Sequence, residues 1–277
     1  MQKPSAAARS LIAIFSFTLA GTAQQATPPA YYRIELIKAK PGKLSEYETF
    51  LKKNIPAITQ AQLKAGKLTA WGLTRVVTPT GLAQEHDLIG FYGYSKWDQM
   101  EPSDEAPDYI RAAMKELGFE SPQDYAAKRD PLRDIVRSEI WKRQAGTTAT
   151  ADNMPKAGEY VIVSYLKTLP GKGEEYDEIW KKFSLPIQED RVNAGKLRSY
   201  SMFSVMGASG SGSHYDRVSL ARYASFADLS PEDSMAPAEA AAERIHAGKD
   251  WRQMRRDMVS LRTVYRSEIV KIEESIH

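Results

Sequence analysis

Residues able to do acid–base or anion chemistry are few in this chain. It has four histidines and no cysteine. His86 stands directly before Asp87, and a histidine with a carboxylate at hand has the makings of an oriented general base. His214 precedes Asp216 by two residues, His246 lies beside Gly248 in a polar stretch, and His277 is the terminus. Arg75 is a candidate anion holder, with Trp71 and Tyr92 as candidate walls of a cavity. In the run from 132 to 141, strand alternation puts Leu132, Val136 and Ile140 on one face. Arg133, Ile135, Arg137 and Glu139 fall on the other. Arg137, or Arg266 in the second copy, then becomes a candidate clamp for an anion or carboxylate, with Glu139 among the substrate-binding candidates. The plainer alternative is that such arginines close on glutamates and fix how two parts of the protein dock. The plain reading of His86 and Asp87 is a polar hairpin end, and that of the aromatics is a packed core.

Several chemistries are missing. No two histidines stand at metal-ligand spacing, so no metal is expected. The run 207–213 is rich in Gly and Ser but lacks the Gly-Lys-Ser/Thr ending of a phosphate loop. Gly-x-Ser-x-Gly, His-Glu-x-x-His and dinucleotide-binding patterns are absent. No cofactor is expected.

The elements that position these residues come in two copies. Sliding the chain on itself by 129 residues aligns Pro41-Gly42-Lys43 with Pro170-Gly171-Lys172. It aligns Ala65-Gly66-Lys67-Leu68 with Ala194-Gly195-Lys196-Leu197, and Arg137-Ser138-Glu139-Ile140 with Arg266-Ser267-Glu268-Ile269. Residues 31–141 against 160–270 give 28 identities in 111 ungapped pairs, where chance gives roughly one in sixteen. The expected organisation is therefore a repeat over 31–142, a linker over 143–158 with an Ala/Thr/Gly-rich core, and a second repeat over 159–272. The copies differ at Arg75/Ser204, His86/Tyr215 and Tyr92/Ala221. These differences favour polar, titratable groups in copy one, and an active pocket is expected there.

Within each copy, β-branched and aromatic runs at 31–39 and 160–168 read as strands, closed by a Pro-Gly-Lys turn. A helix follows, with Leu44, Tyr47, Leu51, Ile55 and Ile58 on one stripe, interrupted by Pro56 and stopped by Gly66. Strands are expected at 68–77, 87–94 and 132–141, the last after a helical stretch. Their counterparts fall at 197–206, 216–223 and 261–270. The order β-α-β-β-α-β is the ferredoxin-like unit, whose sheet has one bare face. Two copies can pack those faces together as one α+β barrel.

On the kinked first helix ending in Ala-Gly-Lys-Leu before the Trp71 or Tyr200 strand, and on the Tyr94-Ser95-Lys96-Trp97 and Tyr223-Ala224-Ser225-Phe226 exits, the chain resembles the dimeric α+β barrel superfamily. Its NIPSNAP-like and antibiotic-biosynthesis-monooxygenase-like groups are the nearest in kind. The resemblance implies metal-free oxidation or isomerisation of a small molecule, or haem chemistry in some branches. The Gly-x-x-Asp-Gly motif of dye-decolourising peroxidases is absent.

The composition fits a globular protein with a small-molecule ligand. Lys plus Arg is 38 and Asp plus Glu is 35, a net charge of +3, so no nucleic-acid partner is expected. Residues 1–23 read as a secretory leader: Lys3 and Arg9, a ten-residue apolar run from Leu11 to Ala20, then small residues up to Ala23. The mature protein is expected in the periplasm or outside the cell, off the membrane. Two functions remain open: a cofactor-free oxygenase or isomerase, and a non-catalytic binding or assembly protein whose barrel is filled.

Overall fold

The structure is a computed structural model that describes residues 28–81, 84–101, 105–150, 154–207 and 214–277, with the backbone alone at 231–235. The expected leader and most of the 207–213 connection lie outside the described residues. The first half runs β1 (Tyr31–Ala39), α1 (Leu44–Lys64), β2 (Ala70–Thr78), β3 (Leu88–Tyr94), α2 (Asp108–Glu116), α3 (Pro122–Arg129) and β4 (Arg133–Gly146). The second half repeats it as β5 (Tyr160–Thr168), α4 (Gly173–Asn193), β6 (Ser199–Met206), β7 (Arg217–Tyr223), α5 (Pro231–Ile245), α6 (Trp251–Ser260) and β8 (Arg262–Ile276). The α1 stripe is buried as the spacing requires, through Tyr47, Leu51, Ile55 and Ile58, and α1 and α4 each continue through their proline as one helix.

The eight strands close into a barrel in the order β1-β3-β2-β8-β5-β7-β6-β4. Each half supplies four neighbours, and the seams are β2 with β8 and β4 with β6, both antiparallel. The last strand of each half makes these seams. β4 continues to Gly146 and β8 to Ile276, five or six residues past the expected ends, because residues beyond Glu139 and Glu268 gain a partner in the other half. Residues 143–146, expected in the linker, are therefore strand. Hydrogen bonding a peptide that would otherwise stay unpaired favours that extension.

Both halves carry the same irregularity. Leu36 pairs with Arg137 but Ile37 with Ile135, leaving Val136 as a bulge. Tyr165 pairs with Arg266 but Leu166 with Val264, which bulges Tyr265. A bulge reverses the alternation beyond it. The expectation that Arg133 shares a face with Arg137 and Glu139 is thereby corrected. Arg133 faces the helices, its guanidinium 6.0 Å from the centre of the Tyr47 ring, and Arg137 and Glu139 enter the barrel.

The interior core includes Ile34, Leu36, Trp141, Val163, Tyr165, Phe203, Val218 and Val270, drawn from both halves. Separate apolar clusters lie between each sheet and its helices. Cutting the chain within 154–157, past the last strand residue of the first half, is expected to leave the halves associated. Size-exclusion chromatography of the nicked protein should give one peak of parental size. Two separately folded monomers would show that the shared core does not hold them.

Candidate functional site

The barrel interior has two ends of opposite chemistry. At one end the first interior residues of β4 and β8 meet: Arg137 and Glu139 from β4, Arg266 and Glu268 from β8. The two halves exchange partners here. His86, from the end of the β2–β3 connection, places Nε2 3.2 Å from Glu268 Oε2 of the other half. Tyr215, at the position 129 residues on, donates its hydroxyl to Glu139 of the first half. Glu268 also accepts from the Tyr165 hydroxyl at 3.2 Å and lies 3.3 Å from Arg266 Nε. Glu139 accepts from Trp141 Nε1 at 2.7 Å and lies 3.4 Å from Arg137 Nη1. One carboxylate, Glu85, bridges the two halves' arginines, 2.8 Å from Arg137 Nη2 and paired with Arg266 Nη1.

These groups hold one another's charge in place. Burial alone would lower the Arg266 pKa, yet Tyr165 and Glu268 beside it keep it above its ordinary value. Burial, reinforced by Glu139, pushes the Tyr215 hydroxyl well up. Burial also pushes Glu85 upward, but its hydrogen bond to Arg266 and the charges of Arg266 and Arg137 outweigh this and leave it below the usual carboxylate range. A carboxylate held low when folded contributes stability above its unfolded pKa of about 4.3. That contribution is lost as pH falls through the lower folded value. The melting temperature of the parent protein should thus fall more steeply below pH 4 than that of an E85Q variant. Parallel curves would show that the bridge carries no acid dependence.

The His86–Glu268 contact is one of close approach without a hydrogen bond. Neither ring nitrogen meets the geometry of a hydrogen bond, and Nδ1 is buried without a partner. Asp87, expected to orient His86, does other work. Its carboxylate takes Lys38 Nζ at 2.9 Å and the Ala39 amide at 2.8 Å, fastening the end of β1. Asp216 does the same at Thr168 in the second half. That duplicated clip is structural, and the carboxylate beside His86 is Glu268.

Three more expected site residues lie on the other side of the sheet. Residues 71, 73 and 75 of β2 alternate toward the helices, while Thr74 and Val76 enter the barrel. Arg75 is exposed and pairs with Glu48 of α1 at 3.3 Å. Trp71 and Tyr92 pack in the helix-side cluster of the first half, with the Arg33 guanidinium 4.6 Å from the Tyr92 ring centre. Trp71 reaches the interior space only at its border. Arg75 and Tyr92 are absent from that lining. The sequence named the right strands with the wrong parity.

At the opposite end the interior opens into a cavity of about 200 Å³. Its walls are mainly apolar, with Tyr32, Phe91, Trp141, Phe203, Leu220 and Ile272 among them. Two guanidiniums reach it, Arg143 and Arg222. Arg222 is already engaged, with Glu159 and with the Met154 carbonyl at 2.9 Å. Arg143 is different. Among the described residues its guanidinium makes one hydrogen bond, a long one from Nη2 to the Thr147 carbonyl at 3.5 Å, and no ion pair. Burial lowers its pKa, with the opposing pull of Tyr32 and Glu189 too weak to restore it. Tyr32 is pushed up to about 12 by burial, against the pull of Arg143. Gly146 keeps the guanidinium in place: a Cβ there would run into Arg143 Nη2 and lie 2.6 Å from Ser201 Oγ. Pro28, Thr147, Ala149, Met154, Pro155 and Ser275 supply the rim.

Sequence reasoning missed this cavity because Arg143 was counted as linker. Continuing the β4 alternation Arg137, Glu139, Trp141 by one step would have found it.

No protein-family model matches the chain, and no curated protein matches it. Solved structures do. A suggested monooxygenase from Lactobacillus acidophilus NCFM aligns at 9% identity over 90% of this chain and 96% of the other, with a TM-score of 0.51. Another from Fusobacterium nucleatum aligns at 10% identity over 90% and 95%, with a TM-score of 0.52. A heme-binding protein from Thermus thermophilus aligns at 12% identity over 89% and 92%, with a TM-score of 0.47. The fold is that of the dimeric α+β barrels. In this chain both ferredoxin-like units of the barrel are in one polypeptide. At these identities the likeness shows architecture, and function must be argued from the site.

Proposed function

We propose that this protein binds a compact, mostly apolar molecule bearing one anionic group in the cavity between Trp141 and Arg143. The observation that carries the reading is Arg143: a guanidinium set into apolar walls with no carboxylate paired to it among the described residues. A charge so placed is costly unless a partner completes it. About 200 Å³ is room for one aromatic ring with a small substituent, since 150 Å³ cavities admit benzene. Oxygenase-like turnover of the bound molecule without a cofactor extends this proposal. It has its own test, consumption of dissolved oxygen in the presence of ligand. Export, suggested by the leader over 1–23, belongs to the proposal too, and a mature N-terminus at Gln24 would support it.

Haem does not fit the histidines of this chain. His86 faces Glu268 inside the ion-pair network, His246 Nε2 sits 3.0 Å from the Phe183 carbonyl, His277 Nε2 sits 3.1 Å from the Pro155 carbonyl, and exposed His214 stacks on Tyr265. Of these, only His277 borders the barrel cavity, and its Nε2 is turned to the Pro155 carbonyl.

A binding protein without turnover is the second reading. The observation that favours it is the pairing of Arg137 and Arg266 with Glu85, Glu139 and Glu268, none of which lines the cavity. The binding proposal is tested with 4-fluorobenzoate followed by fluorine NMR. An R143Q variant should bind the probe about tenfold more weakly at this site, as loss of a charge-assisted hydrogen bond implies. Unchanged affinity would remove Arg143 from the account.

A further inference from the structure

The two halves treat the space between sheet and helices differently. In the first half it is filled. Phe50, Phe119 and Tyr125 pack edge to face or tilted, with centroids 5.1 to 6.2 Å apart, together with Ile58, Ile110 and Met114. In the second half the corresponding place, between α4, α5 and α6, holds an open space of about 300 Å³. Apolar walls remain in Phe183, Ile187, Trp251 and Met258. Into it comes Arg191 of α4, where the first half has Gln62.

Arg191 is 5% exposed. Nη1 donates to Gln188 Oε1 at 2.9 Å and Nη2 to the Tyr223 hydroxyl at 3.4 Å. Both partners are neutral acceptors, Nε is buried with no partner, and Arg191 forms no ion pair among the described residues. A charge this deeply buried with an unused donor is an expensive feature for a merely structural residue. Arg255 and Glu239, themselves 3.6 Å apart, stand half exposed among the lining residues and do not reach in as its partner.

We infer that the α4–α5–α6 pocket is a second ligand site, separate from the barrel cavity, for a small organic carboxylate. Arg191 receives the carboxylate through its guanidinium, and the apolar body of the ligand lies against Phe183, Trp251 and Met258. The open, charged pocket thus belongs to the second copy, whereas the divergence at Arg75 and His86 pointed to the first. Those two residues serve an outer ion pair and the network between halves.

The same probe separates this site from the barrel cavity. Bound 4-fluorobenzoate should give two fluorine resonances in the parent protein. R143Q should weaken the cavity signal and spare the other, while R191M should abolish the other and spare the cavity signal. The neutral 4-fluorobenzamide should bind the Arg191 site at least about tenfold more weakly than the acid. R191M should melt at or above the parental temperature, because an apolar residue of similar length replaces an uncompensated charge. A single, Arg143-dependent resonance in the parent would overturn the inference. So would an R191M variant that keeps both signals, or an amide that binds as well as the acid. Should R191M fail to fold, the acid–amide comparison on the parent protein still decides.

Discussion

Replacing Trp141 with alanine is expected to cost about 3–5 kcal/mol of folding stability, the range for deleting a fully buried large side chain. Trp141 is 0% exposed and stands at the middle of the barrel. Its ring meets Phe91, Tyr165 and Phe203, one residue from the first half and two from the second, at centroid separations of 6.1, 6.3 and 5.9 Å. Its indole also donates to Glu139, so truncation strips that carboxylate of a partner as well as opening a void. W141F separates the two effects, keeping most of the ring and losing only the donor. Urea unfolding of both variants should show one transition, with W141A much the weaker. Two transitions would mean that the halves have independent cores. A cost below about 1 kcal/mol would mean that the barrel collapses readily around the missing ring.

The second large effect is expected at Glu268. It is 4% exposed and faces Arg266, His86 and the Tyr165 hydroxyl at once. E268A takes from Arg266 one of its two carboxylates, leaving Glu85, and breaking a buried pair in this way costs about 3–5 kcal/mol. Replacing both partners with apolar residues, as in an R266M/E268M variant, should cost clearly less than E268A alone, since Glu85 then still keeps Arg137. Denaturation of the single and double variants checks this, and E139A repeats it at the related position. A double variant worse than the single would show that the network contributes net stability of its own.

The repeat made the fold legible. The 129-residue offset fixed the strand order, and Pro41-Gly42-Lys43 with Gly66 fixed the ends of α1. Local spacing did not reveal the bulges at Val136 and Tyr265, which decide whether Arg133 or Arg137 enters the barrel. Bulges answer to pairing with β1 and β5, a nonlocal cause. The ends of β4 and β8 were hidden for the same reason: Arg143 becomes strand because β6 is there to pair with it. Of the candidate residues, His86, Arg137 and Glu139 come together inside the barrel, with Glu268 in the place expected of Asp87. Arg75 and Tyr92 were misplaced by one residue of alternation, while Trp71, packed on that same side, also lines the cavity. The chemistry of an interior site passes through strand parity, and a sequence supplies parity only as far as the next bulge.

The most direct test of the account is a crystal structure of the protein grown with 4-fluorobenzoate. The account predicts the probe inside the barrel, its ring among Phe91, Trp141 and Phe203 and its carboxylate within hydrogen-bond reach of Arg143. A barrel end left empty at saturating probe, or a probe held there with its carboxylate turned away from Arg143, would contradict it.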